Sequence, residues 1–141
     1  MKLIDLTVSR TIPASAEQVF DVWLDAKSPG GPWFGAERVI LTPTVDGLFH
    51  HAVKWEGRIW AHYGRFVAID RPRRIEHTWM SEATRGVESV VTITLEPRDG
   101  QTLLTLRHTG VPDDELGRSH EAGWTEMLSE LAKRFEAGRG K

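Results

Sequence analysis

The chain has no cysteine, which excludes disulfide staples, thiolate metal sites and a cysteine nucleophile and fits a reducing compartment. It has no apolar run approaching about 18 residues and no apolar leader segment behind Met1. Neither membrane insertion nor secretion is therefore expected, and the expected location is the cytoplasm. Excess charge of one sign is missing too. Eighteen basic and 20 acidic residues leave a net charge of -2, without the electrostatic footprint of a nucleic-acid binder. No Gly-x-Ser-x-Gly elbow, P-loop, dinucleotide fingerprint or His-Glu-x-x-His pair occurs. No cofactor, no metal and no catalytic residue is expected on these grounds.

What remains is a chain able to build one real core. It has 141 residues, 40% of them hydrophobic, with six Trp. A domain of this size buries about two-thirds of its unfolded surface, and there is no room for a cofactor domain beside a substrate domain. A single domain over residues 1–137 is expected, followed by a flexible tail over 138–141.

Leu3 to Thr11 alternates as a strand until Pro13. Ser15, with Gln18 three residues on, signals a capped helix carrying Val19, Phe20, Trp23 and Leu24 at helical spacing. Lys27 to Gly35 is rich in turn residues but contains Trp33 and Phe34. From Glu37 to Thr109 the period is two, with breaks at Pro43 to Gly47, Glu56-Gly57, Asp70 to Arg73, Glu82 to Gly86 and Arg98 to Gly100. This predicts about six antiparallel strands. Asp113 to Ala137 predicts a long helix whose apolar stripe holds Leu116, His120, Trp124, Met127, Leu128, Leu131 and Phe135. Gly117 and Gly123 on or beside that stripe predict either close packing or a cavity.

Strand parity turns Phe49, His51 and Val53, then Ile75, His77 and Trp79, then Leu104, Leu106 and His108, toward the core. His51, His77, His108 and His120 are thus placed indoors, where each needs a partner. Three readings stay open: a histidine satisfied by backbone or Tyr63, a polar handle for a ligand, or a metal site. Parity leaves His62 unoriented, because both faces of its strand carry apolar residues. Asp113 to Glu115 are read as helix N-capping, Arg71 to Arg74 as a solvated turn, and Glu37 and Glu56 as ordinary surface carboxylates.

The order of motifs resembles a known family. Gly64, Asp70-Arg71-Pro72-Arg73-Arg74-Ile75, Thr78-Trp79, Val91 to Pro97, His108-Thr109-Gly110 and His120-Glu121-Ala122-Gly123-Trp124 are similar to those of the SRPBCC or START-like superfamily. More narrowly, they resemble bacterial single-domain members of the Aha-type family, homologues of a heat-shock chaperone ATPase activator. The resemblance implies an α+β helix-grip (START-like) fold. A curved antiparallel sheet of about six to seven strands would wrap around a long C-terminal helix, with two short helices after the first strand.

It also implies a cavity lined by Trp33, Phe49, His51, Trp60, Phe66, His77, Trp79, Val91, Leu106, His108, His120 and Trp124. The leading functional expectation is a binder of a hydrophobic or amphipathic small molecule, with His108 and His120 fixing its polar end. A cyclase- or aromatase-like enzyme using His120 or Glu37 is the alternative, and a chaperone partner the third. Edge strands and the Trp33-Phe34 segment offer a surface for a homodimer.

Overall fold

The structure is a computed structural model that describes residues 1–25, 33 and 36–139. Seven strands form one antiparallel sheet: β1 (Leu3–Ile12), β2 (Arg38–Leu41), β3 (Leu48–Trp55), β4 (Arg58–Asp70), β5 (Arg74–Ser81), β6 (Ser89–Arg98) and β7 (Gln101–Pro112). Their spatial order is β1-β7-β6-β5-β4-β3-β2. Among the described residues two α-helices accompany them, α1 (Ala16–Trp23) and α2 (Glu115–Arg139), with a short 3-10 helix at Glu82–Thr84. This is the expected helix-grip arrangement. Of the two short helices expected after the first strand, α1 is one; residues 26–32, Phe34 and Gly35, which follow it, lie outside the described residues. So do positions 140–141, whereas positions 138–139 of the expected tail belong to α2.

Local sequence sets the element ends. Ser15 caps α1 in a capping box with Gln18: each side chain accepts from the other's backbone N–H, at 3.2 and 3.0 Å. The loops Glu56-Gly57 and Asp99-Gly100 each hold two residues with positive φ. Two-residue turns of that kind match the twist of the strands they join, and they fix the registers Trp55↔Arg58 and Arg98↔Gln101. Asp114 starts α2, its Oδ1 accepting the Gly117 N–H at 2.7 Å. The acidic run before α2 is thus a cap. In the arginine turn Arg73 and Arg74 pair locally with Asp70 and Glu76, while Arg71 reaches Asp21 of α1.

The core lies between the concave face of the sheet and the two helices. Val19, Phe20 and Trp23 of α1, Ile75, Ile93, Leu104 and Leu106 of the sheet, and Leu128, Leu131 and Ala132 of α2 are all buried together. α2 packs chiefly on β1 and β7. It therefore leans toward one edge of the sheet and stands away from β3 and β4.

The two glycines of α2 have different reasons to be small. A Cβ on Gly117 would lie 1.8 Å from the Pro112 carbonyl oxygen, whereas one on Gly123 would meet nothing within 4 Å. Gly117→Ala should therefore cost about 1–3 kcal/mol through forced displacement of backbone. Gly123→Ala should add about 1 kcal/mol from helix propensity alone. Chemical denaturation of the two variants measures both, and equal shifts of the same sign would contradict this packing.

Candidate functional site: a cavity between the sheet and the C-terminal helix

Because α2 leans toward β1 and β7, a cavity of about 730 Å3 opens between it and β3–β5. The sheet side of its wall is His51, Val53, Trp55, Trp60, His62 and Trp79, and the helix side includes Leu116, His120, Gly123, Trp124, Met127 and Leu131. Five residues singled out from the sequence meet here: His51, Trp60, Trp79, His120 and Trp124. The other six, Trp33, Phe49, Phe66, His77, Leu106 and His108, are buried but do not line the cavity. Trp33, Phe49, Phe66 and His77 form an aromatic layer behind it, with ring centres 4.9–5.7 Å apart for Phe49 against each of the other three. Val91 is likewise a core residue. Parity identified the inward face but not the depth of each side chain along it.

Sequence reasoning missed several wall residues, Val53, Trp55, His62, Leu116, Met127 and Leu131 among them, and His62 shows why. The register Trp55↔Arg58 carries through to His51↔His62, so both rings point inward and stack, with centres 4.5 Å apart and planes 12° from parallel. The two-residue turn at Glu56-Gly57 contained that information. Parity alone failed because Ile59 and Tyr63, on the outer face of β4, are apolar yet 60% and 48% exposed.

His108 is fully engaged. The Trp124 indole can only donate, and its Nε1–H donates to His108 Nδ1 at 3.0 Å. His108 must therefore carry its proton on Nε2, which donates to Ser89 Oγ at 2.7 Å. The Ser89 hydroxyl in turn donates to the Trp79 carbonyl at 2.6 Å. This directional chain ties α2 to β7, β6 and β5. It also settles what the Ser89–His108 pair can do: a general base must accept the serine proton, and here the imidazole is the donor.

The remaining histidines follow the same logic. A carbonyl only accepts, so His77 Nδ1–H donates to Thr78 O and His120 Nδ1–H donates to Gly117 O, both at 2.9 Å. Each is left with Nε2 as a bare acceptor.

Burial lowers the pKa of all five inner histidines. His62 and His77 fall to about 4 and His108 to about 3. Neighbouring imidazoles add to the effect, His62 acting on His51 and His120 on His62 and His108. The inner histidines are therefore neutral at pH 7. Carboxylates occur only on the helix side, at Glu115, Glu126 and Glu130, and Glu37 and Glu56 are exposed away from the cavity. Among the described residues no three His, Cys, Asp or Glu come together as a metal-holding group, and no helix is long and apolar enough to cross a membrane.

The fold and this wall define a class, a helix-grip module of the ligand-binding type. The chain belongs to the family described as Activator of Hsp90 ATPase homolog 1-like protein, whose sequence model matches residues 13–136. Solved structures share the fold. The protein CV1439 from Chromobacterium violaceum is similar at a TM-score of 0.78 and 23% identity, over 92% of this chain and 96% of that one. A protein of unknown function from Staphylococcus aureus is similar at a TM-score of 0.79 and 12% identity, over 99% and 98%. The Aha1 dimer from Colwellia psychrerythraea is similar at 0.74 and 14%, over 96% and 98%. Comparison with curated proteins yields no match.

Neutral buried histidines make stability depend on pH. Between the ordinary value of 6.5 and the folded values of about 4 for His62 and His77 and about 3 for His108, the unfolded chain binds more protons than the folded one. The stabilisation is therefore fully present above pH 6.5, is lost as pH falls, and levels off below the folded values. Denaturant titrations at pH 7 and pH 5 should differ by up to about 2 kcal/mol for each such histidine. A stability independent of pH over that range would contradict the burial of these rings.

Proposed function

We propose that the chain is a binding module that holds a hydrophobic or amphipathic small molecule between the sheet and α2. The observation that carries this reading is the cavity itself: about 730 Å3, walled by Trp55, Trp60, Trp79, Trp124, Leu116 and Met127. Sites for small organic molecules have this size and this apolar, aromatic character, with a few polar groups to fix orientation. Family and fold support the same conclusion. The reversed polarity of the Ser89–His108 pair and the distance of Glu37 from the cavity favour binding over an acid–base enzyme.

Native mass spectrometry of freshly purified protein tests the reading. A small molecule bound to the 15.9 kDa chain is expected, and it should be absent from a folded Gly123→Leu variant, whose side chain would enter open space on the cavity wall. A ligand-free spectrum combined with no uptake of any hydrophobic probe would contradict it. The same spectrum reads the partner question. A peak at twice the chain mass supports a homodimer, as described for the Colwellia relative, and a monomer at all concentrations counts against it.

A further inference from the structure

Seven buried ring nitrogens lack a hydrogen bond among the described residues, and four of them, on His51, Trp60, His62 and Trp79, belong to residues lining the cavity. Three of these form one corner: the ring centres of His51, His62 and Trp79 are 4.5, 4.9 and 5.2 Å apart. His51 and Trp79 are only 2% and 4% exposed. Buried polar atoms are almost always paired, and an unpaired one is costly. Several unpaired atoms in one corner of an otherwise apolar wall therefore call for a group that enters from the cavity. His120, with Nδ1 committed to Gly117, adds an acceptor on the helix side of the same wall.

The chemistry of the corner restricts that group. Indole N–H only donates, so the ligand must present an acceptor to Trp79. A neutral imidazole either donates or accepts, and so tolerates both kinds of partner. No Lys or Arg stands among the corner residues to compensate an anion; the charged residues of the cavity, Glu115, Glu126, Glu130 and Arg134, are all on the facing helix and carry both signs. No carboxylate in the corner would compensate a cation. Burying an uncompensated charge there would cost far more than burying a neutral group.

We propose that His51, His62, Trp79 and His120 form a subsite for an uncharged hydroxyl, which can accept from the Trp79 indole and donate to a bare imidazole nitrogen such as that of His120, at the buried end of a flat apolar ligand stacked among the cavity's tryptophans. This rests on the binding reading above and adds which end of the ligand goes in and in what charge state. Of the two anchors expected from sequence it keeps His120 and drops His108, which has both nitrogens occupied.

Three probes of one shape test it on the full chain at about neutral pH: pyrene, 1-hydroxypyrene and 1-pyrenecarboxylate, titrated by energy transfer from tryptophan. Hydroxypyrene should bind about tenfold more tightly than either of the others. Trp79→Phe and His62→Phe should each bring the affinity for hydroxypyrene close to that for pyrene measured in the same variant. If Trp79→Phe does not fold, His62→Phe, at a half-buried position, decides alone. Equal binding of pyrene and hydroxypyrene to the unmodified protein would overturn the subsite and leave the cavity reading standing. So would a preference that survives both substitutions, or tightest binding of the carboxylate. Failure of all three probes to bind would overturn both.

Discussion

One buried chain of hydrogen bonds, from the Trp124 indole through His108 and Ser89 to the Trp79 carbonyl, fixes the relation of the long helix to the sheet. Hydrophobic contact alone is non-directional and would let α2 settle wherever the most apolar surface is covered. The chain has a direction, set at one end by an indole that can only donate and at the other by a carbonyl that can only accept. It holds Trp124 and Trp79 4.8 Å apart between ring centres on the cavity wall. With α2 packed on β1 and β7, the space beside those two rings stays open instead of closing into core.

The same burial that makes the chain strong keeps every inner histidine neutral. In a medium of low polarity an unpaired polar atom is costly and a charge more so. His108 satisfies both nitrogens within the protein. His51 and His62 do not, and they stand on the wall of an apolar space. The contrast separates a histidine that builds the fold from histidines that a guest can complete. Residue type and parity are the same in the two cases; only the presence of partners differs.

Most of the architecture was legible in the sequence, because each signal had a local physical cause. Ser15 with Gln18 capped α1, paired positive-φ residues at Glu56-Gly57 and Asp99-Gly100 closed hairpins, and alternation oriented β3, β5 and β7. The site was legible only in part. Parity says which face a side chain takes but not how deep it lies, so Phe66 and His77 could not be told from Trp79, although the first two sit behind the wall. Gly117 and Gly123 read alike, yet one is crowded by the Pro112 carbonyl and the other borders open space. Both distinctions depend on where α2 leans, which is a property of the packed whole.

The most direct test of the account is the tautomer and charge of His108, read from the ring-nitrogen shifts and long-range proton couplings of protein labelled with nitrogen-15 and held at about pH 5, where a free histidine is mostly protonated. The account predicts a neutral ring with its proton on Nε2 and a bare Nδ1. An imidazolium, or a proton on Nδ1, would mean that the Trp124 indole does not donate to it, and the helix would then be held to the sheet by something else.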